Sequence, residues 1–217
     1  MQVFYFMSHN YKMLTQWANS RPRFVYPYRR SLPKGLINGI CLFYENGERY
    51  GDMDRIVMVG SHTSQFQLIP HLDKHFSKEN KNISILRKNI GCCFLHDHPY
   101  LPVWNLNYLH PDTDEQLERS VEIRISAHLR NNFSFSVLPM DTNEERDFWK
   151  PRLISTIAQG GKALASANWL GKLSPKAKIR DYALWQVNDI GGTTMSDGQV
   201  QDLISVVEMN ERRLRLH

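Results

Sequence analysis

The order of apolar runs between Leu36 and Leu95 constrains this chain more than any other feature. A glycine-led run, Gly39-Ile40-Cys41-Leu42-Phe43-Tyr44, is followed by Glu45-Asn46-Gly47-Glu48 and by a second run ending in Met58-Val59-Gly60. Short apolar runs bounded by turn residues read as strands, over 38–45 and 54–60, and the Asn-Gly step predicts a tight hairpin turn between them. The two strands therefore pair antiparallel. Beyond them the apolar spacing becomes helical. Phe66, Ile69, Leu72 and Phe76 form a stripe over 64–77, in which Pro70 predicts a late start or a kink. Ile83, Leu86, Ile90 and Phe94 form a second stripe over 82–96, with Arg87 and Lys88 on its outer side.

The flanks extend this core. Ser8 is a candidate N-cap for a helix over 8–18, and residues 20–35 carry Pro22, Pro27 and Pro33, which exclude a regular helix there. Residues 97–114, with three prolines among Tyr100, Trp104 and Tyr108, read as a long loop. A helix over 117–130 leads to Phe133-Ser134-Phe135-Ser136-Val137, whose alternation predicts a half-buried third strand. Thr142 with Glu145 is a capping box opening a helix to about Gln159, which Pro151 should kink. Ser166 to Gly171 reads as a turn into 174–185, and Ser196 with Gln199 caps a last helix with Arg212, Arg213 and Arg215 near its end.

At 217 residues with 41% hydrophobic and 23% charged side chains, the chain is long enough for a sizeable core and reads as one domain. An excess of Lys and Arg over Asp and Glu, 27 to 22, permits a polyanionic partner without requiring one. No run reaches the ~18 apolar residues of a membrane helix and no signal peptide opens the chain, which predicts a cytoplasmic protein. Cys41, Cys92 and Cys93, an odd count with two adjacent, make a poor disulfide framework and are expected reduced and buried.

The order hairpin, helix, helix, third strand, helix resembles the GIY-YIG nuclease superfamily over about Leu36 to Trp185. Glu79-Asn80-Lys81, Arg87-Lys88-Asn89-Ile90-Gly91, Phe133-Ser134-Phe135, Ile154-Ser155-Thr156-Ile157 and Asn168-Trp169-Leu170-Gly171 resemble a bacterial branch of it. The resemblance implies an α+β fold with a small antiparallel three-stranded sheet flanked by helices and with helical extensions at both ends. Its divisions are an N-terminal helix and basic aromatic arm at 1–35, the GIY-YIG-like domain at 36–185, and a C-terminal helix at 186–217 packed on that domain.

The resemblance also implies metal-dependent phosphodiester cleavage: a carboxylate holds a divalent cation, a phenol or base prepares water, and a guanidinium stabilises the phosphate. Residue by residue, the tyrosine positions fall on Cys41 and Met58, with Tyr5, Tyr26, Tyr28 and Tyr44 as substitutes, and the arginine falls on His71. The histidine matches His75 and the asparagine matches Asn168. The metal-binding glutamate falls on Lys150, whose charge is reversed; Asp147, one turn earlier, is the only rescue candidate for a metal ligand.

Other groupings have bland and functional readings. His71 and His75, four apart, suit a zinc pair but more often mark a helix surface. His96-Asp97-His98 sits beside Pro99 and reads as a solvated loop. Arg21, Arg23, Arg29 and Arg30, interleaved with aromatics, suit a nucleic-acid arm and equally an arm packed on the domain; Arg55, Arg87 and Lys88 are further candidates for phosphate contact. Trp169 and Trp185 read as core. The leading expectation is a nuclease-fold protein that binds nucleic acid, preferentially DNA, with a degenerate site and no cofactor. The alternatives are an active endonuclease using Mg or Mn at a rearranged site, and a module that binds a protein partner.

Overall fold

The computed structural model describes residues 8–106, 110–161 and 164–216. Tyr5 and Tyr108 lie outside them. The fold is α+β: an antiparallel sheet in the order β1-β4-β2-β3, flanked by helices on both faces. The strands are β1 (Phe24–Val25), β2 (Gly39–Tyr50), β3 (Met53–Ser61) and β4 (Phe133–Pro139). The sheet has four strands rather than three, because the arm adds β1 against β4 through Phe24↔Phe135 and Val25↔Ser134. Pro22 and Pro27, which lack an N–H, confine that pairing to the two residues.

The hairpin turn lies five residues later than the Asn-Gly step predicts. β2 and β3 pair out to Tyr50↔Met53, so Gly51 and Asp52 make the turn, with Gly51 at φ 55°. Gly47, at φ 84°, instead serves a bulge between Tyr44↔Ile56 and Arg49↔Asp54. The bulge carries two buried carboxylates inward. Glu45 Oε2 accepts from the indole N–H groups of Trp169 (2.9 Å) and Trp185 (2.8 Å), and Glu48 pairs with Arg55. Both tryptophans are therefore core residues, as expected.

Two cores lie on the two faces. Cys41 and Phe43 of β2, with Phe135 and Val137 of β4, pack against α2 (Leu68–Phe76), α3 (Ile85–Phe94) and α5 (Glu115–Asn132). Ile40 and Leu42, with Ile56 and Val59 of β3, pack against α1 (His9–Asn19), α6 (Asn143–Gly160) and α8 (Asp197–Arg215). β4 is covered on both faces rather than half-buried; Ser136 is buried and its hydroxyl lies 3.4 Å from the Tyr44 hydroxyl. The expected loop at 97–114 contains the short α4 (Leu101–Trp104), which buries Trp104, and α7 (Ala177–Tyr182) follows before α8. Cys41, Cys92 and Cys93 are free and buried. Both predicted capping boxes form, at Thr142 and Ser196. Among the described residues no helix is long and apolar enough to cross a membrane.

Candidate nucleic-acid interface

The outer edge of β3 positions the candidate site. The chain after α7 covers part of this edge, with Trp185 N–H donating to Val57 O (2.8 Å) and the Gln186 side-chain oxygen accepting from Val59 N–H (2.8 Å). At the C-terminal end of β3 the cover opens into a cleft of about 260 Å³. Its lining includes Met58 to Ser61 of β3, His71, Lys74 and His75 of α2, Lys150 and Ile154 of α6, Ile83 from the turn before α3 and Ile85 at its start, and Asn188 and Asp189.

Four positions that the sequence sets apart, Met58, His71, His75 and Lys150, thus share one cleft. Cys41 is the register partner of Gly60 on the neighbouring strand, fully buried, with its thiol pKa raised by burial. Asn168 stands elsewhere, in an exposed turn lining a separate cavity with Glu45 and His128. Asp147 is exposed and does not line the cleft, although Lys150, one turn on, does. Among the described residues no tyrosine lines the cleft: Tyr26 stacks near Phe76, Tyr28 donates to Asp73, and Tyr44 is buried.

The helical phase of α2 decides what the histidines face. Pro70 is tolerated only in a first turn, so the helix starts at Leu68; Phe66, expected on the apolar stripe, lies outside it and is exposed. That phase buries His71 and His75, which the spacing alone assigned to a surface. Their rings meet edge to face with centroids 4.9 Å apart. Gly60 admits this packing, since a Cβ there would stand 2.7 Å from His71 Nε2 and 3.0 Å from the Phe43 ring.

Burial, then the neighbouring His75 and His62, then Lys74 and Lys150, hold the His71 pKa well below its ordinary value. Burial, followed by Lys74 and Arg87, pushes His75 down to about 3. Both rings are therefore neutral near pH 7. Ser84 Oγ, which caps α3 by accepting from Arg87 N–H (3.2 Å), lies 2.7 Å from His75 Nδ1. The hydroxyl can accept from Nδ1–H as well as donate to Nδ1, so the contact fixes the ring's position and not its tautomer. Nε2 of both histidines is buried without a hydrogen-bond partner among the described residues.

The basic residues divide differently from the sequence expectation. Arg87 and Lys88, predicted on the outside of α3, are buried. Arg87 pairs with Glu122 at 2.5 Å and donates to His75 O (2.8 Å), so it braces the fold instead of meeting a polyanion. Burial and the nearby Lys176 and Lys81 lower the Lys88 pKa. Arg55 is buried against Glu48 and donates to Ala183 O. In the arm, Arg21 pairs with Glu211, Arg29 with Asp73, and Arg23 lies over the Tyr44 ring, while Tyr28 belongs to the core. The arm is packed on the domain, and Arg30 remains exposed. Lys74 and Lys150 are the cleft's cations. Lys74, Ile85 and Asp189 went unmarked in the sequence, and Ile83, expected on the apolar stripe of the second helix, precedes α3 and is exposed; the Asn-Asp-x-Gly-Gly run at 188–192 is a local signal that could have marked a special backbone there.

The resemblance implies a divalent cation, and the residues present do not fit one. Such an ion takes oxygen ligands, above all carboxylates. The cleft offers Asp189 alone against two ammonium groups, and no group of three or more His, Cys, Asp or Glu among the described residues is arranged to hold a metal. What the cleft can do is accept an anion, because Lys74 and Lys150 supply two ammonium groups.

No curated protein and no solved structure matches the chain. The family model described as the GIY-YIG domain matches residues 8–212, from the first described helix to the last, and the chain belongs to that family.

Proposed function

We propose that this protein binds nucleic acid by holding a backbone phosphate in the cleft between α2 and α6, without efficient divalent-metal cleavage. One observation carries the reading: Lys150 lies in the cleft with His71, His75 and Met58, at the position where the resemblance calls for a metal-binding carboxylate. An ammonium there repels a cation and attracts a phosphate. Lys74 adds a second charge, and the neutral histidines gain a reason to protonate when an anion enters.

The test is a binding and cleavage assay on supercoiled plasmid and labelled duplex with Mg²⁺ or Mn²⁺. The natural protein should bind and leave the plasmid intact. Lys150→Glu should weaken binding by about tenfold or more, as expected for loss of a charged hydrogen bond, and flatten its salt dependence. Cutting by the natural protein that disappears in Asp189→Asn would establish a rearranged endonuclease instead. Absence of any binding would turn the reading toward a protein partner.

A further inference from the structure

A site for a backbone phosphate alone is poorly served by part of this cleft. Asp189 repels a phosphate, yet it shares the lining with Lys74 and Lys150. Its backbone is held in the left-handed region, φ 61°, by two bonds to its carbonyl, from Ser155 Oγ (2.5 Å) and Gly192 N–H (3.3 Å). Its side chain is exposed, so the carboxylate is open to a ligand in the cleft. Ile83 and Ile85 also line the cleft and are 43% and 45% exposed. Single exposed apolar residues need no explanation, but two in one charged cleft form an apolar wall with no cover.

Cations, an apolar wall and a carboxylate acceptor together match one nucleotide unit. Its phosphate is anionic, its base presents apolar faces, and the base edge carries N–H donors once unpaired. We infer that the cleft takes a single unpaired nucleotide, its phosphate on Lys74 and Lys150 and its base against Ile83 and Ile85, with edge N–H groups donating to Asp189. Guanine, with adjacent N1–H and N2–H donors, suits the two oxygens of a carboxylate best. A base inside a continuous duplex has its edge occupied and its faces stacked, so the preferred ligand is a bulge, end or single strand. This inference rests on the nucleic-acid reading above and adds the ligand's form.

The experiment is a fluorescence-anisotropy titration with four DNA probes of one sequence: fully paired, and carrying a one-residue bulge of guanine, of thymine or of an abasic residue. The guanine bulge should bind about tenfold tighter than the paired and abasic probes. Asp189→Asn should erase the preference for guanine over thymine, and Ile83→Ser should bring the guanine bulge toward the abasic one. Thermal unfolding of both variants checks that they fold. Equal affinity for guanine and abasic bulges overturns the inference and leaves phosphate binding standing. A preference that survives both substitutions overturns its placement in this cleft, and failure to bind any probe removes both readings.

Discussion

Arg87 supports the cleft without reaching it. Its guanidinium, fully buried, joins three elements: it meets Glu122 and Ser126 of α5 and the carbonyl of His75 at the end of α2 from its own place on α3. Removing one partner of a buried ion pair leaves the other charge without compensation, which costs about 3–5 kcal/mol. Arg87→Ala should lower the unfolding free energy by that amount, read as a lower urea midpoint, with the His75 carbonyl losing its donor as well. An unchanged midpoint would mean that water replaces the pair. Nothing local marks this arginine as buried, because its partner Glu122 is 35 residues away. Lys150 differs: residue identity alone sets its ammonium against the carboxylate that the resemblance implies there.

At the scale of elements, local chemistry set the helix starts and long-range packing set what their faces meet. The box at Thr142 satisfies two N-terminal N–H groups of α6, the helix that brings Lys150 and Ile154 to the cleft. Thr142→Ala should therefore cost about 1 kcal/mol, read as a lower melting temperature. Loss of the capping hydroxyl with no thermal shift would show that packing alone holds this end. The phase of α2 was a harder problem. Phe66 and Leu68 both offer an apolar start, and only the position of Pro70 in the first turn chooses Leu68 and so turns His71 and His75 inward. The hairpin poses a similar choice between Gly47 and Gly51. Both take positive φ, and the one that turns the chain is decided by the inward pull on Glu45 and Glu48 from Trp169, Trp185 and Arg55.

For the whole molecule, buried neutral histidines link stability to pH. His71 and His75 have folded pKa values below the ~6.5 of an unfolded chain, with burial the first cause for each. Below pH ~6.5 the unfolded state binds protons that the folded state refuses, so stability rises with pH and is lost as pH falls from there toward the folded values. Each such histidine contributes a slope of about 1.4 kcal/mol per pH unit while only its unfolded form is protonated. Urea midpoints should be flat between pH 8 and 7 and fall steadily between about pH 6 and 4, with a shallower fall in His71→Gln. A midpoint constant down to pH 5 would show both rings protonated within the fold. A bound phosphate should oppose the loss, since an anion beside His71 favours its charged form.

The sequence by itself determined the order of the hairpin, the third strand and the longer helices and both capping boxes, and it set Lys150 against the carboxylate that the resemblance implies. Those features are written in local periodicity, in hydrogen bonds between residues three apart, and in residue identity. Tertiary structure alone decided that Arg55 and Arg87 are buried and that the basic arm packs on the domain, that the histidines are buried and neutral, and that Asp189, Ile83 and Ile85 join Lys150 in one cleft. Burial of a charge depends on whether a partner arrives from a distant segment, and a cleft exists only where separate elements meet, so neither is encoded in any one stretch of the chain.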